Sequence, residues 1–199
     1  MKFNIRNYCK KDLNKVYEIC LKTGNAGSDA SNLYKDPKLL GHVYVGPYVE
    51  LEPQSAFILE IETQVCGYII GTKNSKHFFD KINLNWLPRM KKKYKIPLND
   101  PKDYNLDDGL INSFYFPEKP PDFPKYPAHL HIDILPEGQG QGMGVKLMNY
   151  FFKYLEENKV RGLHLGVDEK NKRAIRFYKK YGLKIIQEND NSIIMGKTL

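Results

Sequence analysis

The chain has 199 residues, 41% of them hydrophobic and 13% aromatic, enough for one domain with a sizeable core and too apolar for a chain dominated by disorder. Its formal net charge of +8 suits an anionic partner without choosing among a phosphorylated cofactor, nucleic acid and a membrane surface. The three cysteines, Cys9, Cys20 and Cys66, form no CxxC pair, so a zinc or disulfide framework has no support and no metal site is expected.

The N-terminus lacks an apolar leader, and no apolar run approaches the ~18 residues of a membrane span, so the expectation is a soluble cytoplasmic protein with no membrane partner. Phe3 and Ile5 alternate as a short strand. Leu13, Val16, Tyr17, Cys20 and Leu21 then follow helical spacing, with Gly24 as the stop. Turn signals at Gly27-Ser28-Asp29 and Gly46-Pro47-Tyr48 bracket a short helix expected around 31–40. Residues 56–61 and 65–71 read as two strands of a hairpin. Residues 73–127 hold eight of the twelve prolines and read as an irregular insert within a single domain spanning 1–199, with some helix near 77–95. The insert's aromatics (Phe78, Phe79, Trp86, Phe114, Tyr115 and Phe116) predict packing onto the body. From residue 129 the pattern is strand, glycine-rich turn, helix, strand, helix, then two strands, which predicts an α/β layering.

The segment Ile134-Leu135-Pro136-Glu137-Gly138-Gln139-Gly140-Gln141-Gly142-Met143-Gly144 carries the chemistry. Alternating glycines between a strand and a helix let the backbone turn sharply and aim successive N–H groups into one concavity, which suits a pyrophosphate. A dinucleotide loop needs Gly-x-Gly-x-x-Gly and a Walker loop ends in Gly-Lys-Ser/Thr; this segment matches neither. Gln139 to Gly144 resembles the GNAT acetyltransferase signature Gln/Arg-x-x-Gly-x-Gly/Ala. Asn171 to Leu183 is similar to that superfamily's second block, Asn-x-x-Ala-x-x-Phe-Tyr-x-x-x-Gly-Phe, with Leu183 in the last place. The two blocks cover roughly a third of the chain. Tyr126 to Asp133 further resembles bacterial GNAT proteins related to the acetyltransferase-like domain of O-GlcNAc hydrolases.

The resemblance implies a GNAT-type acyl-CoA N-acyltransferase fold: α/β, with a mixed twisted sheet and helices on both faces. It implies acetyl-CoA as acyl donor and direct transfer to an amine acceptor. Backbone groups of Gln139, Gly140, Gln141, Gly142, Met143 and Gly144 would hold the pyrophosphate. Ile134 and Leu135, at a bulge near 133–135, would pair with the pantetheine arm, and Asn171 would contact it or shape the loop beneath. Tyr178 would protonate the leaving thiolate; the alternative is a core tyrosine in the stripe with Phe177 and Tyr181.

His129, His131 and Asp133 alternate along one strand face and are candidate proton acceptors. The histidines also resemble the pair in arylalkylamine N-acetyltransferases, with one residue fewer before the glycine turn; a structural, hydrogen-bonded pair is the alternative. Asp29, Tyr34, Tyr48 and Asp168 are candidates for the acceptor site, since loops carry specificity. Two other readings stay open: an acyl-CoA-binding module with little or no turnover, and a homodimer. No nucleic-acid-binding motif is visible, so no such partner is expected.

Overall fold

A computed structural model describes residues 2–199. Its centre is a seven-stranded sheet in the order β1-β2-β3-β4-β5-β7-β6. The strands are β1 (Phe3–Asn7), β2 (Ala56–Ile61), β3 (Gln64–Thr72), β4 (Ala128–Ile134), β5 (Gly162–Asp168), β6 (Lys184–Asn189) and β7 (Ser192–Thr198). Every neighbouring pair is antiparallel except β4–β5, which is parallel. The sheet is therefore mixed, with helices on both faces, as the motifs implied.

One face packs on α7 (Met143–Glu157) and α8 (Lys172–Tyr181). The fully buried stripe Leu147, Met148, Phe151 and Leu155 on α7 meets Phe57, Leu59, Ile69, Leu130 and Leu163 from the strands. Such burial is the dominant favourable term in folding, about 25 cal/mol per Å² of apolar surface. The amphipathic α8 is set by its ends: the Asn171 side chain accepts the Ala174 N–H at 3.0 Å, and Gly182 ends the helix at φ 101°.

The other face packs on α1 (Leu13–Thr23), α2 (Leu39–Tyr44) and α3 (Gly46–Leu51). The helix expected at 31–40 begins only at Leu39, and the turn expected at Gly46–Tyr48 is instead the first turn of α3. Pro47 explains the difference, because its fixed φ and missing N–H suit a first helical turn as well as a bend.

The insert carries α4 (Ser75–Lys81), a wider-wound segment at 82–86, α5 (Leu87–Lys93) and α6 (Leu106–Tyr115). The first three match the helix expected near 77–95. The sequence reading missed α6, although Asn105 and Asp108 form a reciprocal cap at its start and Leu110, Ile111 and Phe114 turn inward. Trp86, Leu87, Met90 and Phe114 bury against Leu39 in a small third core, and Phe78 buries beneath Tyr48. Phe116 does not pack; it is 65% exposed.

Candidate active site

The site follows from how β4 ends. Strands β4 and β5 pair only at Ala128–Leu163 and His129–His164, then diverge. The β3 side stays in unbroken register from Thr72–His129 to Gly67–Ile134, so the bulge expected near 133–135 is absent; divergence from β5 opens the strand instead. Leu135 N–H donates to the Cys66 carbonyl of β3 at 2.8 Å. By alternation, the main-chain groups of Ile132 and Ile134 turn toward the gap, where β5 no longer pairs them. The Gln139 side-chain amide donates to the Ile134 carbonyl, and Arg173 at the start of α8 donates to Gln139 in turn.

The glycine turn leads from this gap into α7. Gly140 and Gly142 adopt φ of 81° and 74°, conformations that favour glycine. A Cβ at either position would meet no heavy atom within 4 Å, so the turn presents bare backbone to open space. The first intrahelical bond of α7 runs from Lys146 N–H to the Gly142 carbonyl at 3.1 Å, leaving the N–H groups of Met143, Gly144 and Val145 without helical partners. These groups, with the helix dipole behind them, fit an anionic phosphate. The side chains of Leu135 and Met143 are sealed in the two cores, so only their main chains are available to a ligand. Asn171 spends its side-chain oxygen on capping α8, and its amide nitrogen faces Gly27.

On the α1–α3 face of β4, cross-strand pairing sets His129, His131 and Asp133 opposite Thr72, Ile70 and Tyr68. Tyr68 donates to Asp133 Oδ2 at 2.6 Å. Burial raises the Asp133 carboxyl pKa, and that hydrogen bond opposes the rise. Tyr48, expected among the acceptor-binding residues, is buried with its hydroxyl held between the histidines, 2.6 Å from His129 Nε2 and 3.1 Å from His131 Nε2. His129 Nδ1 lies 2.6 Å from Ser75 Oγ, which itself donates to the Pro127 carbonyl at 2.9 Å. Burial lowers His131 to about 4. Burial, then the charges of His131 and His164, push His129 well below its usual value. Both rings are therefore neutral near pH 7.

Sequence reasoning missed Ser75 and His164. His164 is buried on β5 with its ring 5.7 Å from that of His129, and its Nδ1–H donates to the Tyr126 carbonyl at 2.7 Å. The available signal for His164 was a third histidine on the neighbouring parallel strand. Tyr44, also missed, sets its half-exposed ring 5.9 Å from that of His131.

Tyr178 is buried in the α7–α8 core, and burial followed by the charge of Asp133 raises its phenol pKa. Tyr34 packs at the margin of the α1–α3 core. The structure does not bring Asp29 or Asp168 to the histidines. Both are exposed and fix turns: Asp29 accepts the Ser31 N–H at 2.8 Å, and Asp168 accepts the Lys170 N–H at 2.7 Å.

Two surface grooves of about 490 and 420 Å³ flank α7, and neither is lined by the histidines. Among the described residues no three His, Cys, Asp or Glu side chains are grouped to hold a metal, and no helix is long and apolar enough to cross a membrane.

A sequence model of the acetyltransferase (GNAT) family matches residues 109–183. The crystal structure of SsHAT is 33% identical and superimposes with a TM-score of 0.93 over 100% of this chain and 98% of that one. The chain belongs to the GNAT acetyltransferase family. It is also 28% identical to Protein O-GlcNAcase of Rattus norvegicus over 99% of its own length, and spans 22% of that protein. The PaiA N-acetyltransferase of Thermoplasma acidophilum, solved with coenzyme A, shares the fold at 15% identity and a TM-score of 0.58, with all of both chains covered.

Proposed function

We propose that this protein transfers an acetyl group from acetyl-CoA directly to an amine. The observation that supports this best is the joint geometry of the β4–β5 gap and the glycine turn. Unpaired strand groups lead straight into a bare backbone cradle at a helix N-terminus. A CoA thioester needs both, because its pantetheine arm carries amides that pair with a strand edge and its pyrophosphate needs N–H donors.

Bound in that cleft, acetyl-CoA supplies an activated acyl carbon and a thiolate leaving group. The amine nitrogen forms a bond to the acyl carbon as the carbon–sulfur bond breaks. The proton lost by the amine passes to His131, and Tyr178 gives its phenolic proton to the departing sulfur. A neutral His131 can accept a proton. The raised Tyr178 phenol keeps its proton until a thiolate needs it. Asp133, with one oxygen held by Tyr68, lies on the same strand face as His131.

A second reading, acyl-CoA binding with little or no turnover, draws on the depressed basicity of the histidines, since a base near pKa 4 takes a proton from an ammonium poorly. Calorimetric titration of acetyl-CoA into the protein and into Gly142→Glu tests the cleft. Binding to the wild type that is lost in the folded variant supports it, and absence of wild-type binding overturns it. Release of free thiol across a panel of amines then separates transfer from binding alone.

A further inference from the structure

Four contacts link Pro127, Ser75, His129, Tyr48 and His131 into one chain: 2.9, 2.6, 2.6 and 3.1 Å. Each hydroxyl in it has a single proton, and each neutral imidazole has one N–H. The carbonyl of Pro127 can only accept. Ser75 therefore spends its proton on Pro127, and its contact with His129 is a hydrogen bond only if His129 Nδ1–H donates to Ser75 Oγ. A neutral His129 then has a bare Nε2, which accepts from the Tyr48 hydroxyl. The Tyr48 oxygen in turn accepts from His131 Nε2–H.

The opposite polarity is disfavoured at its first link. If Ser75 donated to His129, two lone-pair-bearing oxygens would face each other at 2.9 Å with no proton between them. The Pro127 carbonyl already accepts the Ser75 N–H at 2.8 Å, so it is this oxygen–oxygen repulsion that sets the direction.

From this chain we propose that Ser75 and Tyr48 are positioning residues. They lock His131 as the Nε2–H tautomer and so leave His131 Nδ1 as the one ring nitrogen of the pair with a free lone pair. The assignment of Nδ1 as the proton acceptor rests on the acetyl-transfer reading; the tautomer assignment does not. It also gives the insert a role at the site, because Ser75 opens α4 and its Oγ is the side-chain partner that orients His129 Nδ1. The hydrogen-bonded pair that was the structural alternative for these histidines thus becomes the means of orienting the base.

Long-range ¹H–¹⁵N correlation spectra of histidine-labelled protein at neutral pH read the tautomers directly, without turnover. The expected result is His129 protonated on Nδ1 and His131 on Nε2. In Ser75→Ala, His129 loses the acceptor for Nδ1–H, the chain can reverse, and His131 gains a population protonated on Nδ1. With an amine identified by the thiol panel, kcat falls about tenfold with KM little changed, a part of the ~10²–10⁴ that a positioned proton acceptor supplies. Ser75→Thr, which keeps the hydroxyl, restores the wild-type spectrum and rate. In a Tyr48→Phe background the link is already cut, so Ser75→Ala no longer changes the His131 signals; if Ser75→Ala folds poorly, Tyr48→Phe alone, which removes the acceptor of His131 Nε2–H, should give the same gain of Nδ1-protonated His131. His131 protonated on Nδ1 in the wild type would overturn the proposal, as would unchanged His131 signals in Ser75→Ala. Correct tautomers with no acetylation of any amine would leave the tautomer lock standing and remove the catalytic reading.

Discussion

The two faces of β4 solve the same burial problem in opposite ways. Toward α7 and α8, Leu130, Ile132 and Ile134 enter a core of aliphatic and aromatic side chains that needs no polar partners. Toward α1 and α3, His129, His131 and Asp133 are half-buried, and each is held by a tyrosine hydroxyl. A packed apolar face derives its stability from volume and contact. A polar face at similar depth depends on each donor meeting an acceptor. One strand thus anchors the fold on one side and presents titratable groups on the other, so substitutions on the two faces should be separable.

The largest expected effect tests the apolar face. Phe151 is fully buried in α7 against the sheet, so Phe151→Ala should destabilise the protein by about 3–5 kcal/mol, measured by denaturant unfolding. Its acetyl-CoA affinity while folded should be little changed, because the glycine turn presents backbone. A loss below ~1 kcal/mol would mean that the α7 stripe is not the anchor it looks to be.

The complementary substitution is His131→Gln. It should lower acetyl transfer by about a hundredfold or more while shifting stability far less than Phe151→Ala does. Equal damage to folding and turnover would erase the distinction between the faces.

How much of this division was legible in the sequence depended on range. The period-two pattern from His129 to Asp133 and the apolar spacing of α7 and α8 are local, so both faces of β4 could be read from consecutive residues. The glycine turn and Asn171 act through their own backbone or neighbours and were equally plain. What holds the histidines was not legible. Tyr48 lies 81 residues from His129 and Ser75 lies 54 from it, on separate helices, and no local pattern says which hydroxyl meets which ring. The expected bulge in β4 failed for a related reason: the opening comes from where β5 stops pairing, a property of two strands. Residues 106–115 were passed over because surrounding prolines and acidic residues masked a capped helix.

A pH titration of stability sharpens the comparison at intermediate size. His131 falls from the usual 6.5 to about 4 on folding, so between those values the unfolded chain binds more protons than the folded one. Stability is then fully present above about pH 6.5 and is lost as pH falls toward 4, at no more than about 1.4 kcal/mol per pH unit for this group. The groups facing His131 are Tyr48, His129 and the Tyr44 ring, and His129 adds to the slope in the same sense. His42, between α1 and the insert, also falls to about 4 and contributes elsewhere in the molecule. His131→Gln should therefore flatten the acid slope without abolishing it, whereas Phe151→Ala should lower the whole curve and keep its shape. An unchanged slope in His131→Gln would show that His131 does not titrate as its burial dictates.

The smallest effect concerns Asp133. Tyr68→Phe removes one hydroxyl and leaves the ring, so packing should survive and the loss should be about 1–3 kcal/mol, the range for a buried group left without its partner. The size should depend on pH. Burial already raises the carboxyl pKa, and the Tyr68 hydrogen bond is the larger of two, with that of Thr23, that oppose the rise, so its removal raises the pKa further. A protonated carboxyl tolerates the missing donor better than a carboxylate does. The stability difference between wild type and variant should therefore be small in acid and grow as pH rises through the folded pKa of Asp133. Unfolding of both proteins at about pH 4 and about pH 8 measures it. A difference of the same size at both values would mean that Asp133 does not change protonation across that range. The hydroxyl would then be serving packing, and this part of the polar face would resemble the apolar one.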